Sequence, residues 1–138
     1  MKPVFFIAFL LFLLPASMMG QGQRHRIVFQ FTNAQDTLQQ KAFIKQLQNL
    51  KAHWPDATFE VVLYNQGLEL LLPNKGIQIS AVKALHDEGI DFLICENTLK
   101  NRQMSKEQFP AWVNYIPAGI AHMVERQEEG WSYIKGGF

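Results

Sequence analysis

The sequence predicts an α/β domain built on a mainly parallel sheet of about five strands, with helices on both faces. Short segments rich in branched and aromatic residues alternate with segments of helical spacing, which is typical of βαβ units joined by right-handed crossovers. Residues 58–64 are nearly continuous in apolar character, as expected for a strand of a parallel sheet that is covered on both faces.

The first strand is predicted at residues 27–31, and a helix follows it. Asp36 with Gln39 resembles a capping box at the start of this helix, and Pro55 ends it. The apolar positions of the helix recur near the helical period, at Leu38, Phe43, Leu47, Leu50 and Trp54.

The second strand, residues 58–64, ends at a turn that contains Gly67. Residues 68–72 fit either a short extended piece or one helical turn. A second helix is predicted from Ile79 to the region of His86, and Gly89 closes it as a C′ residue.

The third strand, residues 92–94, leads into Cys95, and Asn97 and Thr98 are residue types that cap helices. Cys95 therefore lies where a strand ends and a helix begins, at the sheet edge where open α/β sheets bind ligands. A thiol at such a helix start can be partly thiolate, the form that attacks disulfides, persulfides and electrophiles. The alternative is that Cys95 is a small buried hydrophobic residue.

The remaining chain predicts two more strands and one more long helix. Residues 105–112 are interpreted as a short helix broken by Pro110, with Ser105 and Gln108 as a cap. A fourth strand at 113–116 precedes a helix along Ala118 to Gln127, and residues 131–135 form the final strand.

The amino terminus has the layout of a secretory signal peptide. Lys2 precedes an apolar run of 11 residues, 4–14, which is shorter than the about 20 residues that a spanning helix needs. We therefore predict a cleavable signal peptide at residues 1–22, a single domain at 23–138, and a periplasmic or otherwise exported protein without a stable membrane span. An uncleaved anchor is the open alternative.

Charge and residue spacing exclude several classes of function. Removing Lys2 lowers the basic count from 13 to 12, against 12 acidic residues, so nothing indicates a nucleic-acid partner. One cysteine cannot form an intramolecular disulfide. The histidines lack metal-ligand spacing and no phosphate-binding loop occurs, so neither a metal nor another cofactor is expected.

Several segments resemble the exported branch of the DsrE/DsrF-like sulfur-relay family. They are C-E-N-T-L at 95–99, I-P-A-G-I at 116–120, Q-E-E-G-W-S-Y-I-K at 127–135 and Y-N-Q-G-L at 64–68. The resemblance implies a DsrE-like three-layer α/β sandwich, similar to the flavodoxin type, which assembles into trimers or hexamers. It also implies that Cys95 matches the cysteine that carries sulfur as a persulfide between a donor and an acceptor protein.

A sulfur carrier needs donors around its thiolate, and the N–H groups of Asn97, Thr98 and Leu99 are candidates because they open a helix. The neighbouring strand ends at the same edge, so the residues that leave it are candidates to line the pocket, although turns favour the same residue types. These candidates are Asn65, Gln66 and Gly67, and Gly119 can bring a further helix start to the edge.

Three functions remain open. The first is an exported thiol protein that binds or relays sulfur species through Cys95. The second is an oligomeric module that binds a ligand or partner, with Cys95 as a structural bystander. The third is a thiol-dependent transferase. The first and third require a reactive Cys95, whereas the second predicts an inert one.

Overall fold

The sheet contains five parallel strands in a computed structural model that describes residues 24–138. The predicted signal peptide, 1–22, lies outside the described residues. The strands are β1 (Arg26–Asn33), β2 (Thr58–Gln66), β3 (Ile90–Cys95), β4 (Asn114–Ile116) and β5 (Ser132–Lys135). Their order across the sheet is β4-β3-β2-β1-β5, which confirms the predicted parallel α/β architecture.

Helices connect the strands in the predicted order along the chain. They are α1 (Thr37–His53), α2 (Ile79–Asp87), α3 (Glu96–Asn101) and α4 (Gly119–Glu128). The ambiguous segment after β2 is a 3-10 helix, Gly67–Leu71. The helix predicted at 105–112 is only the 3-10 turn Lys106–Gln108. It begins with the expected capping box of Ser105 and Gln108. No helix among the described residues is long and apolar enough to cross a membrane.

The start of α1 differs from the predicted capping box. Asp36 caps the helix as expected, because its Oδ1 accepts the N–H of Leu38 at 2.8 Å. Gln39 does not complete the box. Its side chain instead bonds both the N–H and the carbonyl of Phe138, so it holds the C-terminal residues against α1.

Alternating residues of each strand build two cores on opposite faces of the sheet. The larger core lies beneath α1 and α2 and includes Phe29, Phe59 and Phe92. The smaller core lies beneath α4, where Met123 packs on the opposite-facing strand residues Val28, Val62 and Leu93. The helices on both faces confirm the three-layer sandwich.

The chain leaves β3 and β4 toward opposite faces of the sheet. Leu99 of α3 is buried in the larger core, whereas Met123 of α4 is buried in the smaller one. Such a reversal creates a crevice between the carboxyl ends of the two strands, which is the usual ligand position in open α/β sheets. Cys95 pairs with Ile116 across this crevice.

Candidate functional site

Cys95 is both the last residue of β3 and the N-cap of α3, with extended backbone angles. The prediction that Asn97 and Thr98 cap the helix is wrong, because α3 begins at Glu96 and both residues lie inside its first turn. The strand therefore ends, and the helix begins, at Cys95 itself. Cys95 is 5% exposed, so the residue is almost fully buried.

The start of α4 reaches the sulfur from the other side of the crevice. The N–H of Gly119 donates to Cys95 Sγ at 3.3 Å. A Cβ at position 119 would lie 3.0 Å from Val62 Cγ1 and 3.4 Å from Cys95 Cβ, so the close approach depends on glycine. The first residue of α4 is thus held against the last residue of β3.

Hydrogen-bond donors lower the pKa of the Cys95 thiol. Burial raises the pKa of Cys95, but donors from Gly119, Thr98 and Asn97 outweigh it, so the pKa lies below its ordinary value. The Gly119 N–H makes the direct hydrogen bond, and the N–H groups of Thr98 and Asn97 and the hydroxyl of Thr98 add to it, although the Asn97 N–H also donates to the carbonyl of Pro117 at 3.2 Å. The arrangement can therefore hold a thiolate or an added anionic sulfur atom.

Thr98 connects the sulfur to the end of β2. Its Oγ1 accepts the N–H of Asn65 at 3.2 Å, and Asn65 has a positive φ of 51°, which turns the chain at this point. The carbonyl of Asn65 in turn accepts Arg102 Nη1 at 2.8 Å. Arg102 also binds the buried carboxylate of Glu69 at 2.8 Å, so this arginine ties α3 to the segment after β2.

Three other sequence candidates lie away from the sulfur. Gln66 is exposed and lines a surface depression of about 350 Å³ together with Gln35, Asn65 and Arg102. Gly67 is buried against β1, where a Cβ would lie 2.0 Å from the carbonyl oxygen of Phe31. The side chain of Leu99 lies in the larger core.

Tyr64 and Lys106 are neighbours of the site that sequence reasoning did not select. Leu63 pairs with Ile94, so Tyr64 lies beside Cys95 on the adjacent strand, and its ring borders Gly119. Lys106 Nζ bonds the carboxylate of Glu96 at 2.5 Å, which lowers the pKa of Glu96 and pairs its charge. Strand alternation places Tyr64 on this face, whereas sequence offers no signal for Lys106.

Among residues 24–138, no group of three or more histidine, cysteine, aspartate or glutamate side chains is placed to hold a metal ion. At the crevice, backbone and hydroxyl donors surround the thiol of Cys95. Such a thiol can act as a nucleophile toward sulfur or carbon electrophiles once it is deprotonated.

Comparison with known proteins gives a family and two similar solved structures. The model of the DsrE/DsrF-like family matches residues 19–135. The protein of unknown function MTH1491 from Methanobacterium thermoautotrophicum is 31% identical, with a TM-score of 0.75, over 80% of this chain and 98% of that one. The conserved protein of unknown function BT1422 from Bacteroides thetaiotaomicron is 13% identical, with a TM-score of 0.64, over 80% and 93% of the chains. No curated protein matches the chain.

Proposed function

The chain belongs to the DsrE/DsrF-like family, and we propose that it binds or relays sulfane sulfur through Cys95. One observation carries the proposal: Cys95 Sγ lies at the crevice between β3 and β4 and accepts the N–H of Gly119 from the opposite side. Donors on both sides of a sulfur atom favour its anionic form, which both attacks and carries sulfur.

The proposed transfer is an exchange at sulfur without net oxidation. The Cys95 thiolate attacks the terminal sulfur of a donor persulfide, R–S–SH, so that a new S–S bond forms while the donor's S–S bond breaks. The donor leaves as the thiolate R–S⁻, and the proton stays on the transferred sulfur. An acceptor thiolate then attacks the same terminal sulfur, which regenerates the Cys95 thiolate.

The proposal places this exchange outside the cytoplasm, with a donor or acceptor protein in the same compartment. The support is the sequence of residues 1–22, which has the layout of a signal peptide. Mass spectrometry of the amino terminus of the protein recovered from a periplasmic fraction tests it. An intact Met1 in a cytoplasmic fraction would contradict export.

The second candidate function is a binding module in which Cys95 only fills space. The observation in its favour is the 5% exposure of Cys95, which limits direct access to the sulfur. In that case the exposed residues around the crevice bind the ligand or partner, and Cys95→Ser changes packing alone.

Alkylation of Cys95 in the folded protein between pH 5 and 9 separates the two functions. The sulfur-relay function predicts a rate that titrates below the free-cysteine value of about 8.5 and a mass gain of one sulfur after exposure to polysulfide. The Cys95→Ser variant is the control and should gain no mass. A thiol that alkylates only after denaturation would leave the binding module as the better explanation.

We also propose that copies of the chain associate, as trimers or hexamers, through α4. Ile120 and Val124 lie one helical turn apart on α4 and are 63% and 48% exposed. Because Ile120 follows Gly119 directly, this exposed apolar stripe begins beside the sulfur. Self-association through it would therefore change the access to Cys95.

A further inference from the structure

The amino-terminal edge of the sheet, opposite the edge that carries Cys95, has a concave basic surface. Arg24, His25 and Arg26 lead into β1, and all three are exposed. Together with Gly130 and Ser132 they line a depression of about 190 Å³. Every ionisable side chain of this lining is basic, although the charges of the domain nearly cancel.

Arg26 is held at the rim of the depression by the end of α4. Its Nη2 donates to the carbonyl of Glu129 at 2.8 Å, and its guanidinium lies 5.6 Å from the centre of the Trp131 ring. The carboxylate of Glu129 is itself bonded to Arg126 at 2.9 Å. The carboxylate of Glu129 is therefore already paired, and Arg26 keeps further N–H groups without partners among residues 24–138.

Arg24 and His25 extend the basic surface toward α1. The ring of His25 packs on Trp54 with centroids 4.3 Å apart, and this contact orients the imidazole. Arg24 makes no ion pair with the described part of the chain. A second depression on this side shares both residues but includes Asp56, so the carboxylate-free depression is the better anion site.

We infer that the depression lined by Arg24, Arg26 and Ser132 binds a small tetrahedral oxyanion of the phosphate class, either free or as the headgroup of an anionic lipid. Guanidinium groups present forked N–H donors that match such oxyanions, and the Ser132 hydroxyl adds a neutral donor. The 190 Å³ volume is smaller than the about 300–1,000 Å³ of pockets for drug-sized ligands, so it selects a small group.

Calorimetric titration of the full chain with inorganic phosphate at low ionic strength tests the site. We expect saturable binding that is about 10-fold weaker in Arg24→Gln/Arg26→Gln, because each variant position loses a charge-assisted hydrogen bond. The control Lys41→Gln/Lys100→Gln has the same net charge, and its affinity should be unchanged. Equal weakening in the control, or no saturable binding by wild type, would overturn the inference.

Arg26 also stabilises the end of α4, so the single variant Arg24→Gln provides a cleaner test. It loses no hydrogen bond or ion pair found within the described residues, and it must still weaken phosphate binding. An affinity equal to that of wild type, in a folded Arg24→Gln protein, would remove Arg24 from the site and overturn the proposed donor set.

Vesicles distinguish the two sources of the anion. Sedimentation with phosphatidylglycerol and with phosphatidylcholine vesicles compares wild type and the double variant, so the segment before Arg24 contributes equally to both. Loss of phosphatidylglycerol binding in the variant, with competition by free phosphate, assigns the site to a lipid headgroup. Phosphate binding without a difference on vesicles assigns it to a free anion. If wild type and the double variant bind both phosphate and phosphatidylglycerol vesicles equally, the inference is wrong.

Discussion

At the scale of single residues, the thiolate of Cys95 is stabilised by hydrogen-bond donors rather than by a charged side chain. Thr98→Val removes the one hydroxyl among these donors, so we expect the pKa of Cys95 to rise. Fewer thiolates at neutral pH should slow alkylation by about 3- to 10-fold, which corresponds to the net contribution of about 0.7–1.4 kcal/mol of one ordinary hydrogen bond. The measurement is the alkylation rate against pH.

Thr98→Ser is the matched control for this prediction. It keeps the Oγ that accepts the N–H of Asn65, and it keeps the hydroxyl near the sulfur. Its pH profile should therefore follow that of wild type. Equal slowing in both variants would contradict the role of the hydroxyl, because Thr98→Ser keeps it.

Gly119→Ala tests the other side of the sulfur. The added Cβ would lie 3.0 Å from Val62 Cγ1, and because Val62 is fully buried we expect the start of α4 to shift away from Cys95 by a few tenths of an ångström. We expect a loss of about 1 kcal/mol in the free energy of unfolding, from overpacking. We also expect a higher pKa for Cys95, because the Gly119 N–H lengthens its bond to the sulfur. Urea unfolding and the alkylation profile measure the two effects, and an unchanged profile would contradict the second.

Part of this site could be predicted from the sequence. Strand ends place Cys95, Asn65 and Gly119 at one edge of a parallel sheet, and in the structure Gly119 bonds Cys95 while Asn65 bonds Thr98. The direct bond from Gly119 to the sulfur could not be predicted, because its N–H reaches the sulfur only through the position of α4 on the sheet. The role of Arg102 depends equally on a long-range contact, to Asn65 and Glu69.

At the scale of elements, the buried carboxylate of Glu69 ties the 3-10 helix after β2 to the end of α3. Burial alone raises the pKa of Glu69, but Arg102 and Lys75 outweigh it, so the pKa lies below the ordinary value. A lowered pKa in the folded state stabilises the fold above the unfolded value of about 4.3, and this stabilisation is lost as the pH falls through the folded value.

Glu69→Gln should therefore unfold more easily at pH 7, by about 2 kcal/mol, because Arg102 and Lys75 lose a buried charged partner. Its free energy of unfolding should also decline less than that of wild type between pH 5 and pH 3. Denaturant titrations at each pH measure both effects. The control is Asp87→Asn, which breaks an exposed pair with Lys83 and should change stability by less than about 1 kcal/mol. Parallel pH profiles for wild type and Glu69→Gln would contradict the prediction.

Strands and helices could be predicted from the sequence where a clear apolar pattern extended over many residues, as in β2 and α1. The errors fall where side-chain contacts override local signals. Gln39 satisfies the backbone of Phe138 instead of completing a capping box, and Cys95 takes the N-cap position ahead of Asn97. Both arrangements depend on tertiary contacts, which cannot be inferred from the local sequence.

At the scale of the whole molecule, α4 connects the two edges of the sheet. Its first residue contacts Cys95 at one edge, and the carbonyl that follows its last residue binds Arg26 at the other. Between them, Arg126 and His122 both bond the buried carboxylate of Glu60 on β2, so the helix is fixed along its length. A displacement of α4 would therefore alter the sulfur site and the basic depression together.

The last prediction concerns self-association through the outward side of α4. The exposed stripe of Ile120 and Val124 lies on α4, which packs against the smaller core, and burying the stripe against another copy would remove apolar surface from water. Light scattering should give wild type a mass that is a multiple of the chain mass. Ile120→Glu should reduce it to that of one chain, because association would bury an unpaired charge.

Leu38→Glu is the matched control, since Leu38 is 61% exposed on α1, compared with 63% for Ile120 on α4. It introduces the same charge on the opposite face of the sheet and should leave the association intact. Faster alkylation of Cys95 in Ile120→Glu than in Leu38→Glu would place the sulfur beside the interface between copies. A wild-type protein with the mass of one chain, or equal dissociation of both variants, would contradict association through α4.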